Sequence, residues 1–275
     1  MIDLGHLDLR YTFECGQAFR WRRREDWWVG VIGEHVVRLR EEEGGIEVAS
    51  GISKAALRRY FRCEDDLARI LNDISRDAYV AGLVKRFAGL RLLRQDPWEC
   101  CASYILATNA NLPRIKNMVE TVCLTFGNEL DDGLFSFPSP EQILDKAHFA
   151  QTCGLGYRCP HFLEFARHVH RGELDFDEIK RMSYAECHAH LKHFDGIGDK
   201  VADCVSVFCF DHLEAFPIDV RIGKALEQRY HFTGSYKKLS ASSREHFGPY
   251  AGYAQEYIYF AEDRENSSAI TRPGS

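Results

Sequence analysis

The hydrophobic periodicity of this chain changes once and does not change back. Between Gln17 and Ser50, short apolar runs are separated by turn residues: Gln17-Ala18-Phe19-Arg20-Trp21, Trp27-Trp28-Val29-Gly30-Val31-Ile32, His35-Val36-Val37-Arg38-Leu39 and Ile46-Glu47-Val48. This pattern predicts antiparallel strands. Gly33-Glu34 suits a two-residue hairpin loop, and Glu43-Gly44-Gly45 marks another turn. After Ser53 the spacing becomes helical and stays so nearly to the end. Asp96-Pro97 opens one helix, with Asp as N-cap and Pro at the first helical position. Others are expected near 76–88, 112–126, 140–152, 160–170, 183–193, 199–210, 218–230 and 250–262. A sheet followed by a helical body is an α+β architecture. The expected units are a β-rich domain over 1–93, a helical domain over 94–265 and a polar, disordered tail over 266–275.

At 275 residues, 45% of them apolar, the chain can bury a sizeable core as one large or two modest domains. No apolar run approaches the roughly 20 residues that span a bilayer, and the first residues lack the basic and apolar regions of a signal peptide, so an intracellular protein is expected. The ten cysteines are scattered through apolar helical contexts and read as reduced core thiols. A net charge of −6 argues against coating nucleic acid by bulk electrostatics. It leaves room for a focal contact through helix N-termini and a few arginines.

The chemistry concentrates in Phe194-Asp195-Gly196-Ile197-Gly198-Asp199-Lys200, a tight turn between two helices that sets Lys200 on the first turn of the second. Gly196 and Gly198 allow positive φ and close approach, so backbone N–H groups can face a phosphate, with a monovalent cation shared by turn carbonyls. Such a contact positions a duplex without reading it. Taken alone, a Gly-x-Gly turn is an ordinary helical corner. Asp219 follows after Pro217, near the start of another helix, where a carboxylate also serves as a cap.

The pair of helices, the turn and Asp219 resemble the helix-hairpin-helix, Gly/Pro-rich loop and Asp signature of base-excision DNA glycosylases, and in detail the 8-oxoguanine DNA glycosylase branch. Further matching stretches are Gly16-Gln17-Ala18-Phe19-Arg20-Trp21, Arg91-Leu92-Leu93-Arg94-Gln95-Asp96-Pro97, Thr108-Asn109-Ala110-Asn111-Leu112-Pro113-Arg114-Ile115, Gly154-Leu155-Gly156-Tyr157-Arg158 and Gly248-Pro249-Tyr250-Ala251-Gly252-Tyr253-Ala254-Gln255.

The resemblance implies a bifunctional DNA glycosylase and abasic-site lyase that extrudes 8-oxoguanine, opposite cytosine, from double-stranded DNA. Lys200 would attack the sugar C1′, form a Schiff base and permit β-elimination. Lysines in water keep their proton up to about 10.4, so the amine needs desolvation or a proton acceptor. Asp219 would stabilise the oxocarbenium charge. The Gly16 carbonyl would accept from N7–H of the oxidised base, Gln255 would read its Watson–Crick edge, and Tyr259 and Cys204 would flank the ring. Tyr259 stands where relatives carry another aromatic, and Cys204 reads equally as a core thiol. Asn109, Arg114, Tyr157 and Arg158 would fill the gap and face the orphaned cytosine. Ala110 departs from an asparagine-richer pattern. Arg221 replaces an expected histidine and keeps a phosphate donor. No metal or redox cofactor is implied. Action as a monomer, away from membranes, in a nucleoid or a nucleus is the corresponding expectation.

Two alternatives stay open: a related glycosylase for alkylated or other oxidised bases, and a non-catalytic helix-hairpin-helix DNA-binding module, which would not need Lys200 and Asp219 together. Clusters at Cys159-Pro160-His161, His168-Val169-His170 and Cys187-His188-Ala189-His190 invite zinc, yet no second Cys-x-x-Cys pair completes the pattern. The four-cysteine spacing of an iron–sulfur cluster is also missing from the C-terminal part. Trp21, Trp27 and Trp28 read as strand core.

Overall fold

A computed structural model of the chain describes residues 2–270, with side chains described through Glu265. A short helix, α1 (Leu9–Glu14), precedes four strands, β1 (Arg22–Arg24), β2 (Trp27–Ile32), β3 (His35–Glu42) and β4 (Gly45–Ala49). They pair antiparallel in the order β1-β2-β3-β4, with Trp28 opposite Leu39 and Arg38 opposite Ala49. Both hairpin loops fall where expected: Ile32 pairs with His35 across Gly33-Glu34, and Glu42 with Gly45.

Residues 17–21 are not a strand. Gln17 is buried, and its amide donates to Thr12 O at 3.0 Å and Arg91 O at 2.8 Å while its Oε1 accepts from Leu93 N at 2.7 Å. The side chain thus supplies links that a strand ladder would have made. Trp21 stacks on Phe13 at 4.0 Å, and a Cβ on Gly30 would meet the Trp21 ring at 2.5 Å. The bare backbone of Gly30 lets that indole pack under β2, so the segment passes beneath the sheet instead of extending it.

The helical part comprises α2 (Lys54–Tyr60), α3 (Leu67–Ile74), α4 (Ala78–Arg86), α5 (Pro97–Leu106), α6 (Leu112–Phe126), α7 (Pro140–Asp145), α8 (Arg158–His170), α9 (Phe176–Ile179), α10 (Tyr184–Leu191), α11 (Asp199–Cys209), α12 (Val220–Tyr230), α13 (Tyr236–Phe247) and α14 (Ala251–Ile270). Asp96 caps α5 through Glu99 N at 3.0 Å, with Pro97 in the first turn. The helix expected over 140–152 is α7 followed by a 3-10 segment, 147–153. The last helix runs through Ile270, into the stretch expected to be disordered; residues 271–275 lie outside the described residues.

Two cores result. One side of the sheet, with Trp28, Val37, Leu39 and Ile46, packs on Phe13, Trp21, Leu57 and Phe61. The larger core is helical and includes Leu67, Ile70, Ile74, Val80 and Leu83 from α3 and α4, so the seam between cores runs inside the first 93 residues. Buried Arg62 and Arg91 cross it. Arg62 donates to Val207 O on α11 at 2.9 Å, and Arg91 donates to Arg62 O at 2.9 Å. Gln95 N also donates to Phe208 O at 2.8 Å, so the sheet side grips the C-terminal half of α11. Among the described residues no helix is long and apolar enough to cross a membrane. The ten cysteines are free thiols, all buried except the half-buried Cys63 and Cys159.

Candidate active site

Elements far apart in the chain converge on one cleft of about 890 Å³. Its walls include Gly16, Asn109, Gly196, Gly198, Lys200, Cys204, Asp219, Arg221, Gln255 and Tyr259. Lys200 stands on the first turn of α11, half-buried, with Nζ 5.5 Å from the centroid of the Tyr104 ring. That ring is fixed from both ends: its hydroxyl donates to Gln17 O at 3.2 Å, and its face stacks on Phe208 at 5.7 Å. The lysine therefore reaches inward over an apolar floor.

Gly196 in the preceding turn has φ +89°, and a Cβ there would meet His161 Cβ at 2.9 Å. Both conformation and space require glycine. Gly198 differs. Its φ is −91°, outside the left-handed region, and a Cβ would meet nothing within 4 Å. What it contributes is an open N-cap for α11, whose first turn faces the cleft without a side-chain cap.

Asp219 caps α12, with Oδ1 accepting from Ile222 N at 2.8 Å. The strand-like approach to it, Ala215 to Ile218, is buried, and Ile218 N donates to the Tyr236 hydroxyl at 3.2 Å. Tyr236 in turn donates to Asp203 Oδ2 at 2.6 Å, and Tyr184 donates to the other oxygen at 2.6 Å. Asp203 is wholly buried on α11, three residues after Lys200. Burial raises its carboxyl above the usual range, with the two tyrosine hydroxyls opposing. One chain of hydrogen bonds thus joins the lysine helix to the residue before Asp219.

The opposite end of the cleft is formed by α14 and the loop after α1. A Cβ on Gly252 would meet Val207 Cγ2 at 3.0 Å, so that glycine lets α14 approach α11 closely. Gln255 and Tyr259, one turn apart, share a face there. Gly16 has φ +94°, and a Cβ would press on Tyr259 Cε1 at 3.2 Å and Leu112 Cδ2 at 3.3 Å. Cys204 is buried, and burial pushes its thiol up to about 12, with Lys200 opposing. It is a protonated thiol in the cleft wall.

Arg221 is less open than expected for a phosphate donor. Its guanidinium pairs with Asp263 and lies 5.3 Å from the Tyr259 ring centroid.

The rim at residues 108–111 and 157–158 is held by its own polar groups. Asn109 has φ +49°, and its amide donates to the Tyr157 hydroxyl at 3.1 Å. That hydroxyl donates to Thr108 O at 3.1 Å. Arg158 is only 2% exposed. Its Nε donates to Thr108 O at 2.7 Å, Nη1 to Leu155 O at 3.3 Å and Nη2 to Asn109 O at 3.1 Å. Without DNA, backbone carbonyls engage these donors, and the side chain is a strut under the rim. Tyr157, at 54% exposure, and the exposed Arg114 stand outside the cleft lining.

Several cleft residues escaped the sequence reading: Cys15, Tyr104, Leu112, Tyr236 and Glu256. Glu256 had a signal, being the one charged residue in the run Ala251 to Ala261. Among the described residues no group of three or more His, Cys, Asp or Glu side chains could hold a metal ion.

Residues 1–101 match the family model described as the N-terminal domain of 8-oxoguanine DNA glycosylase. An N-glycosylase/DNA lyase of Arabidopsis thaliana is 28% identical over 95% of this chain and 79% of its own length. The 8-oxoguanine glycosylase/lyase of Clostridium acetobutylicum, solved with double-stranded DNA carrying cytosine opposite 8-oxoguanine, is 31% identical over 94% of this chain and 93% of that one, with a TM-score of 0.89. A 3-methyladenine DNA glycosylase from Archaeoglobus fulgidus shares the fold at 20% identity, with a TM-score of 0.79 over 95% of this chain and 98% of that one.

Proposed function

The chain belongs to the 8-oxoguanine glycosylase/lyase family, and we propose from the contents of its cleft that it excises 8-oxoguanine from duplex DNA and then cleaves the abasic strand. The observation that carries this reading is the meeting of Lys200, Asp219, Gly16, Gln255 and Tyr259, drawn from separate elements, around one cavity with room for an extruded nucleotide.

In this reading the Lys200 amine attacks C1′ as the base leaves, and the resulting Schiff base leads to β-elimination. Asp219, fixed by its cap and by the Tyr236 link behind it, stabilises positive charge developing on the sugar. The Gly16 carbonyl accepts from N7–H of the oxidised base; guanine presents an acceptor there and is repelled. Gln255 meets the Watson–Crick edge, and Tyr259 and Cys204 flank the ring. Gly196, Gly198 and the open first turn of α11 hold a phosphate, with a monovalent cation at the turn carbonyls. Arg221, tied to Asp263, supports Tyr259 first and the phosphate second. Arg114 and Asn109 face the orphaned cytosine and Tyr157 stands beside the gap, with Arg158 beneath them. The reaction asks for no metal or redox cofactor. A monomer working on nucleoid or nuclear DNA suits it.

Excision from matched duplexes containing 8-oxoguanine, an alkylated adenine or an oxidised thymine tests the substrate. Preference for 8-oxoguanine is expected, together with a borohydride-stable protein–DNA adduct that Lys200→Gln removes. Preference for either other lesion refutes the substrate, and absence of an adduct refutes the chemistry.

A further inference from the structure

Glu256 is a carboxylate where the core offers it little. It is 3% exposed, lies in the middle of the apolar run of α14 and lines the cleft. Its Oε1 is buried and has no hydrogen-bond partner. Its one hydrogen-bonding neighbour is the Cys15 thiol, a weak donor; a buried carboxylate so poorly satisfied costs several kcal/mol when ionised, so helices shed such residues unless a cation or a proton answers them. The groups that face it are the Cys15 thiol at the end of α1, Tyr104 on α5, Lys200 and Cys204 on α11, and Tyr259 on its own helix. Among these, Lys200 is the cation, and its field reaches Glu256.

We propose that Glu256 is the proton acceptor that leaves the Lys200 amine neutral for attack, an inference that rests on Lys200 being the nucleophile. The step balances simply. An N–H bond of the ammonium breaks, its electron pair stays on Nζ, and an O–H bond forms on Glu256. The Nζ pair then forms the bond to C1′ while the glycosidic pair departs with the base. The base takes up the proton released by the newly alkylated nitrogen.

Transfer turns the buried carboxylate and the half-buried ammonium into two neutral groups, which relieves the burial cost of the carboxylate charge. The acidity fits this use. Burial raises the Glu256 carboxyl to about 7, with the Cys15 thiol and Lys200 opposing the rise. A group that titrates near neutrality suits proton transfer at neutral pH. Cys15 cannot replace it, because burial and the neighbouring Glu256 hold that thiol well above its usual range.

The test is single-turnover excision of 8-oxoguanine and borohydride trapping on a preformed abasic duplex, each followed from acid to alkaline pH, for the wild type, Glu256→Gln and Lys200→Gln. For the wild type, both rates should rise with pH through about 7. Glu256→Gln should lower both by about 10²-fold at neutrality. The loss should shrink at alkaline pH, and affinity for the 8-oxoguanine duplex should be unchanged. Wild-type profiles in Glu256→Gln overturn the proposal. So does a loss confined to 8-oxoguanine with abasic trapping intact, since that marks recognition of the base. If Glu256→Gln does not fold, the wild-type profile still decides: rates flat through about 7 overturn the proposal. An adduct that survives Lys200→Gln sinks the underlying reading instead.

Discussion

The inner wall and the outer rim of the cleft are built on opposite principles. On the inner wall, functional groups are held by their backbones and keep polar atoms available: Lys200 Nζ lies over the Tyr104 ring, Asp219 uses one oxygen for its cap, and Glu256 Oε1 has no partner among the described residues. On the rim, Asn109, Tyr157 and Arg158 bond to one another and to the carbonyls of Thr108 and Asn109. A wall of fixed, under-satisfied groups suits chemistry, because its reorganisation has already been done by folding. A rim saturated with internal bonds suits shape, and contributes to recognition through its exposed Tyr157 and Arg114, through Asn109 where it lines the cleft, or by rearranging.

Substitutions should therefore separate activity from stability along this division. Lys200→Gln should reduce excision by on the order of 10⁴-fold or more while leaving the thermal midpoint in place, measured by single-turnover kinetics and calorimetry. A folded, bound but inert protein is the expected product. Gly16→Ala forces a side chain into a left-handed conformation against Tyr259 and Leu112. A strain of about 1–3 kcal/mol should lower 8-oxoguanine excision by about 10–10²-fold. Activity on an abasic duplex, which has no base to seat, should fall far less.

Tyr236→Phe removes the hydroxyl between Asp203 and Ile218 N. It should cost about 1–3 kcal/mol of stability, read by denaturant unfolding, and slow excision roughly tenfold with little change in duplex affinity. At the rim the pattern should invert. Arg158→Ala leaves the carbonyls of Thr108, Asn109 and Leu155 short of donors and should destabilise the fold by roughly 1–3 kcal/mol. Arg114→Ala should leave the fold intact and weaken discrimination for the opposite cytosine a few-fold in competition binding. If Arg158→Ala instead spares stability and abolishes opposite-base preference, the assignment of a strut is wrong.

The same division separates what could be read from the chain before its folding. Three of the four expected strands, both hairpins, the capped start of α5 and the lysine turn follow local rules, and those rules operate within a few residues. The 17–21 segment broke from its pattern because Gln17 and the Trp21–Gly30 contact are settled by residues as far away as Arg91. The helix α13 was missed because its inward face carries Ser240 and Ser243, and small polar residues leave no apolar period. It is also the helix that brings Tyr236 to the cleft. The bracing contacts of Arg158 were hidden for a related reason: an arginine in a matching motif says nothing of which carbonyls its guanidinium will reach. Glu256 was visible as a lone charge in an apolar run, but its meaning depended on α14 lying against α11.

The decisive measurement is peptide mapping of the adduct that borohydride traps on an 8-oxoguanine duplex. Lys116 makes the comparison sharp, because burial lowers the pKa of that amine and it lines the adjoining cavity beside Phe19 and Arg20. The sugar remnant should be found on the peptide containing Lys200. A remnant on Lys116, or on any lysine other than Lys200, would place the nucleophile outside the inner wall and contradict the mechanism at its centre.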